Sequence, residues 1–307
     1  MNVIECVPNV SEGRRLDCVG RLAAAVESVA AVQLLDRSSD AAHNRSVFTF
    51  AGSAAAVEEA ALALVARAVM EIDLRTHRGV HPRLGAADVV PFVPLGEATM
   101  GTAVELARHV GREIAARFAV PVYLYGEAAT RAARTRLEDI RRGGLEGLNA
   151  RMRDAAWAPD YGPGAPHPTA GATVVGARGV LVAYNVNLAT DRLSEARAIA
   201  RTVRESGGGL PSVKAMGVAL EERGIVQVSM NLTDYNVTSV AQVFDAVSAE
   251  AARRGIGVLE SEIVGLVPRA ALGGRTPAAL RLARFGEPQI LERRLADSGL
   301  ADAPRSE

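Results

Sequence analysis

The sequence predicts an α/β (α+β) chain made of two ferredoxin-like subdomains, each a β-sheet covered by helices, with a ligand groove between them. Three observations carry that expectation. Short β-branched and aromatic runs alternate with Ala/Leu/Glu-rich stretches of helical period. The second half runs β-α-β-β-α-β, the split βαβ order, and the first half opens the same way. Between the halves, residues 158–172 hold four prolines and three glycines, a composition that suits a linker or a ligand loop. The division is expected as residues 1–177 and 178–307.

Residues 2–8 read as a strand. A turn through Asn9, Ser11, Glu12 and Gly13 follows, with Ser11 placed to cap a helix over about 14–29. Strands are expected at 31–36 and 45–51, and an Ala/Val/Leu/Glu helix at about 53–72. Val89–Val93 is a short strand interrupted by Pro91. Residues 98–118 are a helix, 120–125 a strand, and 127–153 mostly Arg-rich helix. In the second half, 180–187, 213–221, 224–231 and 257–264 are strands, while 191–205 and 237–254 are helices. The tail beyond about 270 reads as Ala/Arg/Leu helix, frayed over its last ten residues.

Composition excludes several classes. Apolar residues make up 49%, too many for a disordered chain. Net charge is zero, which disfavours a nucleic-acid partner. Lys214 is the one lysine among 35 basic residues, a bias read as compositional. Cys6 and Cys18 form no disulfide framework and no zinc spacing, and suit buried thiols in a reducing cytoplasm. No signal peptide and no membrane span are visible.

The chemistry concentrates in Thr76-His77-Arg78-Gly79-Val80-His81-Pro82-Arg83-Leu84-Gly85-Ala86-Ala87-Asp88, which holds two of the five histidines. Gly79 and Pro82 break regular structure, so both imidazoles belong on a shaped loop. Imidazole suits proton transfer near neutral pH, and arginine offers a fixed carboxylate partner. The two histidines cannot share a helix face and no zinc-protease glutamate follows His77, so no metal is expected. Asp36, Asp40, Asp88 and His43 could orient an imidazole or serve only as turn residues. Arg45, Arg83 and Arg178 each flank a turn. Ser206–Lys214 lacks the ending of a phosphate loop and reads as a lip of the groove. Ser229–Tyr235 ends a strand as either turn chemistry or a hydrogen-bonding wall.

Several stretches resemble the glutamate formiminotransferase family. They include Glu5-Cys6-Val7-Pro8-Asn9-Val10-Ser11-Glu12-Gly13, Asn44-Arg45-Ser46-Val47 and the His loop through Asp88. Val120–Ala129, Trp157–Pro163, Gly171-Ala172-Thr173, Val228–Leu232 and Val264–Pro268 add to them. The match runs in order from about residue 2 to 270. It implies formimino transfer between N-formimino-L-glutamate and tetrahydrofolate, the latter a co-substrate, in histidine degradation and one-carbon metabolism. It also implies a homodimer, with a separate cyclodeaminase expected downstream, while composition leads to the expectation of a cytoplasmic protein with no nucleic-acid or membrane partner.

By the same resemblance the catalytic acid/base is His81, the histidine before Pro-Arg-Leu-Gly-Ala. The folate-contact segment maps onto Gly162, Pro163, Gly164, Ala165, Pro166, His167, Pro168, Thr169, Ala170 and Gly171, where this chain lacks the large aromatics of the mammalian form. Ser38 stands where mammalian relatives carry an acid. Arg45 or Arg83 is expected to hold a glutamate carboxylate, Asn231 to meet the pterin or its tail, and His77 to support the loop. Formyl transfer between 5-formyltetrahydrofolate and glutamate, or a non-catalytic folate-binding protein, are the alternatives.

Overall fold

The computed structural model describes residues 2–79 and 82–301. The chain divides into two compact units between Arg178 and Gly179.

In the first unit, β1 (Asn2–Cys6) and β2 (Asn9–Val10) together fill one place in a sheet, broken at Val7-Pro8. They lie between β4 (Arg45–Gly52) and β5 (Ala87–Gly96), antiparallel to both. With β3 (Val32–Asp40) on the outside of β4, the order β5-β1-β4-β3 is the ferredoxin-like one. Its crossovers are α1 (Leu16–Glu27) and α2 (Ala54–Glu71). An extension follows: α3 (Met100–Phe118), β6 (Val122–Gly126) and β7 (Thr173–Ala177), with β7 inserted parallel between β5 and β6. The three helices cover one face and close an apolar core around Phe48, Phe50, Leu64, Phe92 and Ile114. Local signals set the long helices. Ser53 Oγ accepts from Ala56 N–H at the start of α2, and Thr99 Oγ1 accepts from Thr102 N–H at the start of α3.

Several expectations need correction. The α1 cap is not Ser11: its hydroxyl donates to Gly85 O at 2.7 Å, and Glu12 Oε1 accepts from the N–H groups of Arg14 and Arg15, both at 2.9 Å. β5 runs straight through Pro91. The proline sits level with the β1–β2 break, where its carbonyl accepts from Val7 N–H at 3.2 Å and its missing N–H costs no ladder bond to β1. Residues 127–153 are helical in separate pieces, not as one run. The pieces are Ala132–Arg134, α4 (Leu137–Ile140) and α5 (Gly144–Arg151), and Gly143 and Gly144, at φ of +85° and +59°, part α4 from α5.

The second unit is an antiparallel sheet of β8 (Val182–Leu188), β9 (Val213–Leu220), β10 (Ile225–Leu232) and β11 (Val258–Val264), in the order β11-β8-β10-β9. Helices α6 (Leu193–Val203) and α7 (Val240–Arg253) cover one face around Tyr184, Val186, Ile199 and Phe244. A Ser239/Gln242 capping box starts α7. The expected long tail helix is absent among the described residues. Left-handed Gly273 and Gly274 interrupt it, and the chain packs back on β11 through Ser261 Oγ–H to Leu280 O at 2.6 Å before the short α8 (Leu291–Asp297). No helix among the described residues is long and apolar enough to cross a membrane.

Candidate active site

Asn44 joins three turns of the first unit. It sits in the hairpin turn between β3 and β4 at φ +49°, a left-handed value asparagine tolerates. Its Oδ1 accepts from Gly13 N–H at 2.9 Å, its Nδ2 donates to Arg78 O at 3.0 Å, and its carbonyl receives His77 Nε2–H at 2.9 Å. Glycine is required where the turns touch: a Cβ on Gly79 would stand 2.3 Å from His43 O, and one on Gly13 2.4 Å from Asp40 O. His77 is thereby buried, and desolvation lowers its pKa against the opposing Asn44 carbonyl bond, so the imidazole is neutral at pH 7.

Asp88, at the start of β5, fixes the other end of the His loop. Its Oδ1 accepts from Leu84 N–H at 2.6 Å and Gly85 N–H at 3.2 Å, and its Oδ2 pairs with Arg141. Arg45, on β4, stays cationic: burial first, then the Arg141 charge, pull its pKa down to about 10. Arg83 is mostly buried and reaches Glu146 Oε1 at 3.2 Å. Glu146 is 71% exposed, so this ion pair is weak and readily exchanged for another carboxylate. These arginines, His77, Asp88, Ser11, His43 and Asn44 line a cavity of about 10 Å³, the room of one small polar atom. His43 meets Asp40 through Nδ1 at 2.8 Å, so Asp40 spends itself on His43.

The 162–171 loop lies against both flanks of the His loop. Leu74 N–H donates to Thr169 O at 2.8 Å, Ala86 N–H to Ala170 O at 2.9 Å, and Ala172 N–H to Leu84 O at 3.0 Å. Within the loop His167 and Gly171 exchange backbone bonds of 2.8 and 3.0 Å, and His167 Nδ1 accepts from Ala170 N–H at 3.0 Å. Gly162, Pro163, Gly164, Ala165 and Pro168 are exposed, Pro166, His167 and Thr169 half-buried, Ala170 and Gly171 buried. The structure thus brings Arg45 and Arg83 together and seats the loop beside them. Asn231 belongs to the second unit, exposed on β10 opposite Ala183 and Lys214. His81 lies outside the described residues. Among the described residues no group of three or more His, Cys, Asp or Glu could hold a metal ion.

The formiminotransferase domain, N-terminal subdomain, matches residues 3–178, and the formiminotransferase domain matches residues 183–276. The chain is 45% identical over 294 residues to a glutamate formimidoyltransferase of Streptococcus pyogenes serotype M1, covering 95% of this chain and 98% of that one. It is also 45% identical over 297 residues to the glutamate formimidoyltransferase of Thermoplasma acidophilum, covering 96% and 98%. This chain belongs to the formiminotransferase family. A formimidoyltransferase-cyclodeaminase of Sus scrofa is 43% identical over 276 residues, which are 88% of this chain and 51% of the longer relative. Within this formiminotransferase, sequence reasoning passed over Asn44 and Arg141 as organising residues. An asparagine directly before Arg45 in a hairpin turn was the available signal for the first. The Arg141–Asp88 pairing spans 53 positions and leaves no local trace.

Proposed function

We infer that this chain is a glutamate formimidoyltransferase, moving a formimino group between N-formimino-L-glutamate and tetrahydrofolate to give 5-formiminotetrahydrofolate and L-glutamate. The observation that carries the reading is 45% identity to two glutamate formimidoyltransferases over nearly the whole of both chains. The cavity supports it. Arginines held by the fold surround a small polar space beside a loop whose exposed part, Gly162–Ala165, has little side chain to block a flat ring.

The attacking amine must lose a proton and the departing nitrogen must gain one. His81 is assigned both transfers, as general base and then general acid. Arg83 and Arg45 hold a glutamate carboxylate, Arg83 by exchanging the exposed Glu146 for it. Gly162–Gly171 contacts the folate, with Asn231 assigned to its pterin or tail. Holding both substrates in line supplies much of the rate. The active form is a cytoplasmic homodimer, each subunit built of subdomains 1–177 and 178–307. A spectroscopic transfer assay with tetrahydrofolate and formiminoglutamate tests the reading. His81→Ala should lower turnover by roughly 100-fold or more. Turnover near wild type in a folded variant would remove His81 from the mechanism.

A further inference from the structure

Counting donors and acceptors around the cavity singles out two atoms. Asn44 spends its amide oxygen, its amide nitrogen and its carbonyl on the turns it joins. Asp88 spends both oxygens. His77 Nε2 faces a carbonyl, which can only accept, so Nε2 carries the hydrogen and Nδ1 presents a lone pair. That Nδ1 is buried and has no hydrogen-bond partner among the described residues, on a side chain only 7% exposed. Arg83 Nε is likewise buried and unpartnered among them, and it carries a hydrogen. Both residues line the cavity. Leaving either atom unpaired there is costly, because a buried donor or acceptor forfeits its bond to water without gaining another.

An occupant that satisfies both must offer one hydrogen to Nδ1 and one lone pair to Arg83 Nε. The terminal nitrogen of a neutral formimino group has both. A formyl oxygen has lone pairs only; it can accept from Arg83 but sets a lone pair against that of His77. We propose that His77 is a specificity-determining residue, whose Nδ1 accepts the N–H of the transferred formimino group and rejects a formyl group in its place. This rests on the transferase reading above and goes beyond it, because it decides which one-carbon unit moves. The lowered pKa of His77 agrees, since a protonated ring would have no acceptor to offer.

The test compares kcat/KM for N-formimino-L-glutamate and N-formyl-L-glutamate, each with tetrahydrofolate, in wild type, His77→Gln and His77→Asn. Glutamine can keep the bond to the Asn44 carbonyl while removing the acceptor at the Nδ1 position. The formimino-over-formyl ratio should fall by about 10-fold or more in His77→Gln, as expected when one buried acceptor is lost. Asparagine can return an amide oxygen to that position and should recover part of the ratio. An unchanged ratio in a folded His77→Gln would overturn the proposal and leave a structural water as the partner of Nδ1. Should His77→Gln not fold, wild-type inhibition constants decide. Formiminoglutamate must bind about 10-fold tighter than formylglutamate, and equal affinities overturn the assignment. Wild type that transfers neither group defeats the transferase reading itself, which separates the two failures.

Discussion

The substitution Asp160→Asn should destabilise the first unit strongly, because the Asp160 carboxylate is the counter-charge of a buried arginine. Arg134 is fully buried, and its Nη1 lies 2.7 Å from Asp160 Oδ2. The guanidinium also donates to Ala156 O at 3.0 Å and Ala158 O at 2.5 Å, with the Tyr123 and Trp157 rings 5.1 and 5.8 Å from its centre. Asp160 in turn accepts from Leu124 N–H at 2.9 Å and from the Thr130 hydroxyl. A side-chain amide would preserve the shape but leave a cation without its opposite charge, at a cost of about 3 kcal/mol. For a unit of this size that corresponds to roughly 6–12 °C in thermal midpoint. Trp157 is the one tryptophan of the chain and stacks on Arg151 at 3.3 Å, so its fluorescence reports the same region during a urea titration. Asp160 also lies two residues before the 162–171 loop, so KM for the folate should rise. A loss below about 1 kcal/mol with unchanged fluorescence would refute the account of Arg134 as a charge that depends on Asp160.

Burial, only partly offset by the Arg178 charge, pushes the Glu5 carboxyl up to about 7 from its ordinary 4.5. The folded state therefore favours the protonated acid: no penalty exists below pH 4.5, it grows between 4.5 and 7, and it is constant above. Wild type should lose about 3 kcal/mol relative to Glu5→Gln across that window, read from denaturant midpoints at several pH values; a flat difference refutes it. Gly171 has φ +70°, and a Cβ there would stand 2.1 Å from Leu84 O. Gly171→Ala should cost about 2 kcal/mol in a thermal melt and raise KM for the folate, since it parts the two loops; an unchanged melt counts against their close approach.

Much of the fold follows from local signals. Ser53 and Thr99 stand where α2 and α3 begin, and the four strands and two helices of the second sheet follow the order the pattern predicts. What escaped depends on distant partners. β7 is a short Val-Gly run that becomes a strand only by slotting between β5 and β6. Pro91 looks like a strand breaker until the β1–β2 break is seen beside it. Residues 127–153 read only as Arg-rich helix, yet Arg134 is buried and Arg151 donates to the carbonyls of Asp139, Ile140 and Arg142. In the candidate site, Arg45 and Arg83 were legible as cations beside turns. That Glu146 shields one of them, and that Asp40 serves His43, depends on contacts across the fold.

The same distinction explains why the cavity is more informative than its list of titratable residues. Histidine, aspartate and arginine side chains surround it, and residue type alone would allow each of them acid–base or clamping chemistry. Their hydrogen bonds remove most of those options. Asp88 is committed to two backbone N–H groups and Arg141, and Asn44 to Gly13, Arg78 and His77, so neither can receive a substrate without dismantling the loop. These commitments run largely to main-chain atoms, and the one from the Asn44 carbonyl to His77 Nε2 sets the tautomer that leaves a lone pair on Nδ1 before any substrate arrives. An imidazole so held cannot turn its N–H toward a formyl oxygen. The selectivity therefore follows from the rigidity of the turns as much as from the imidazole.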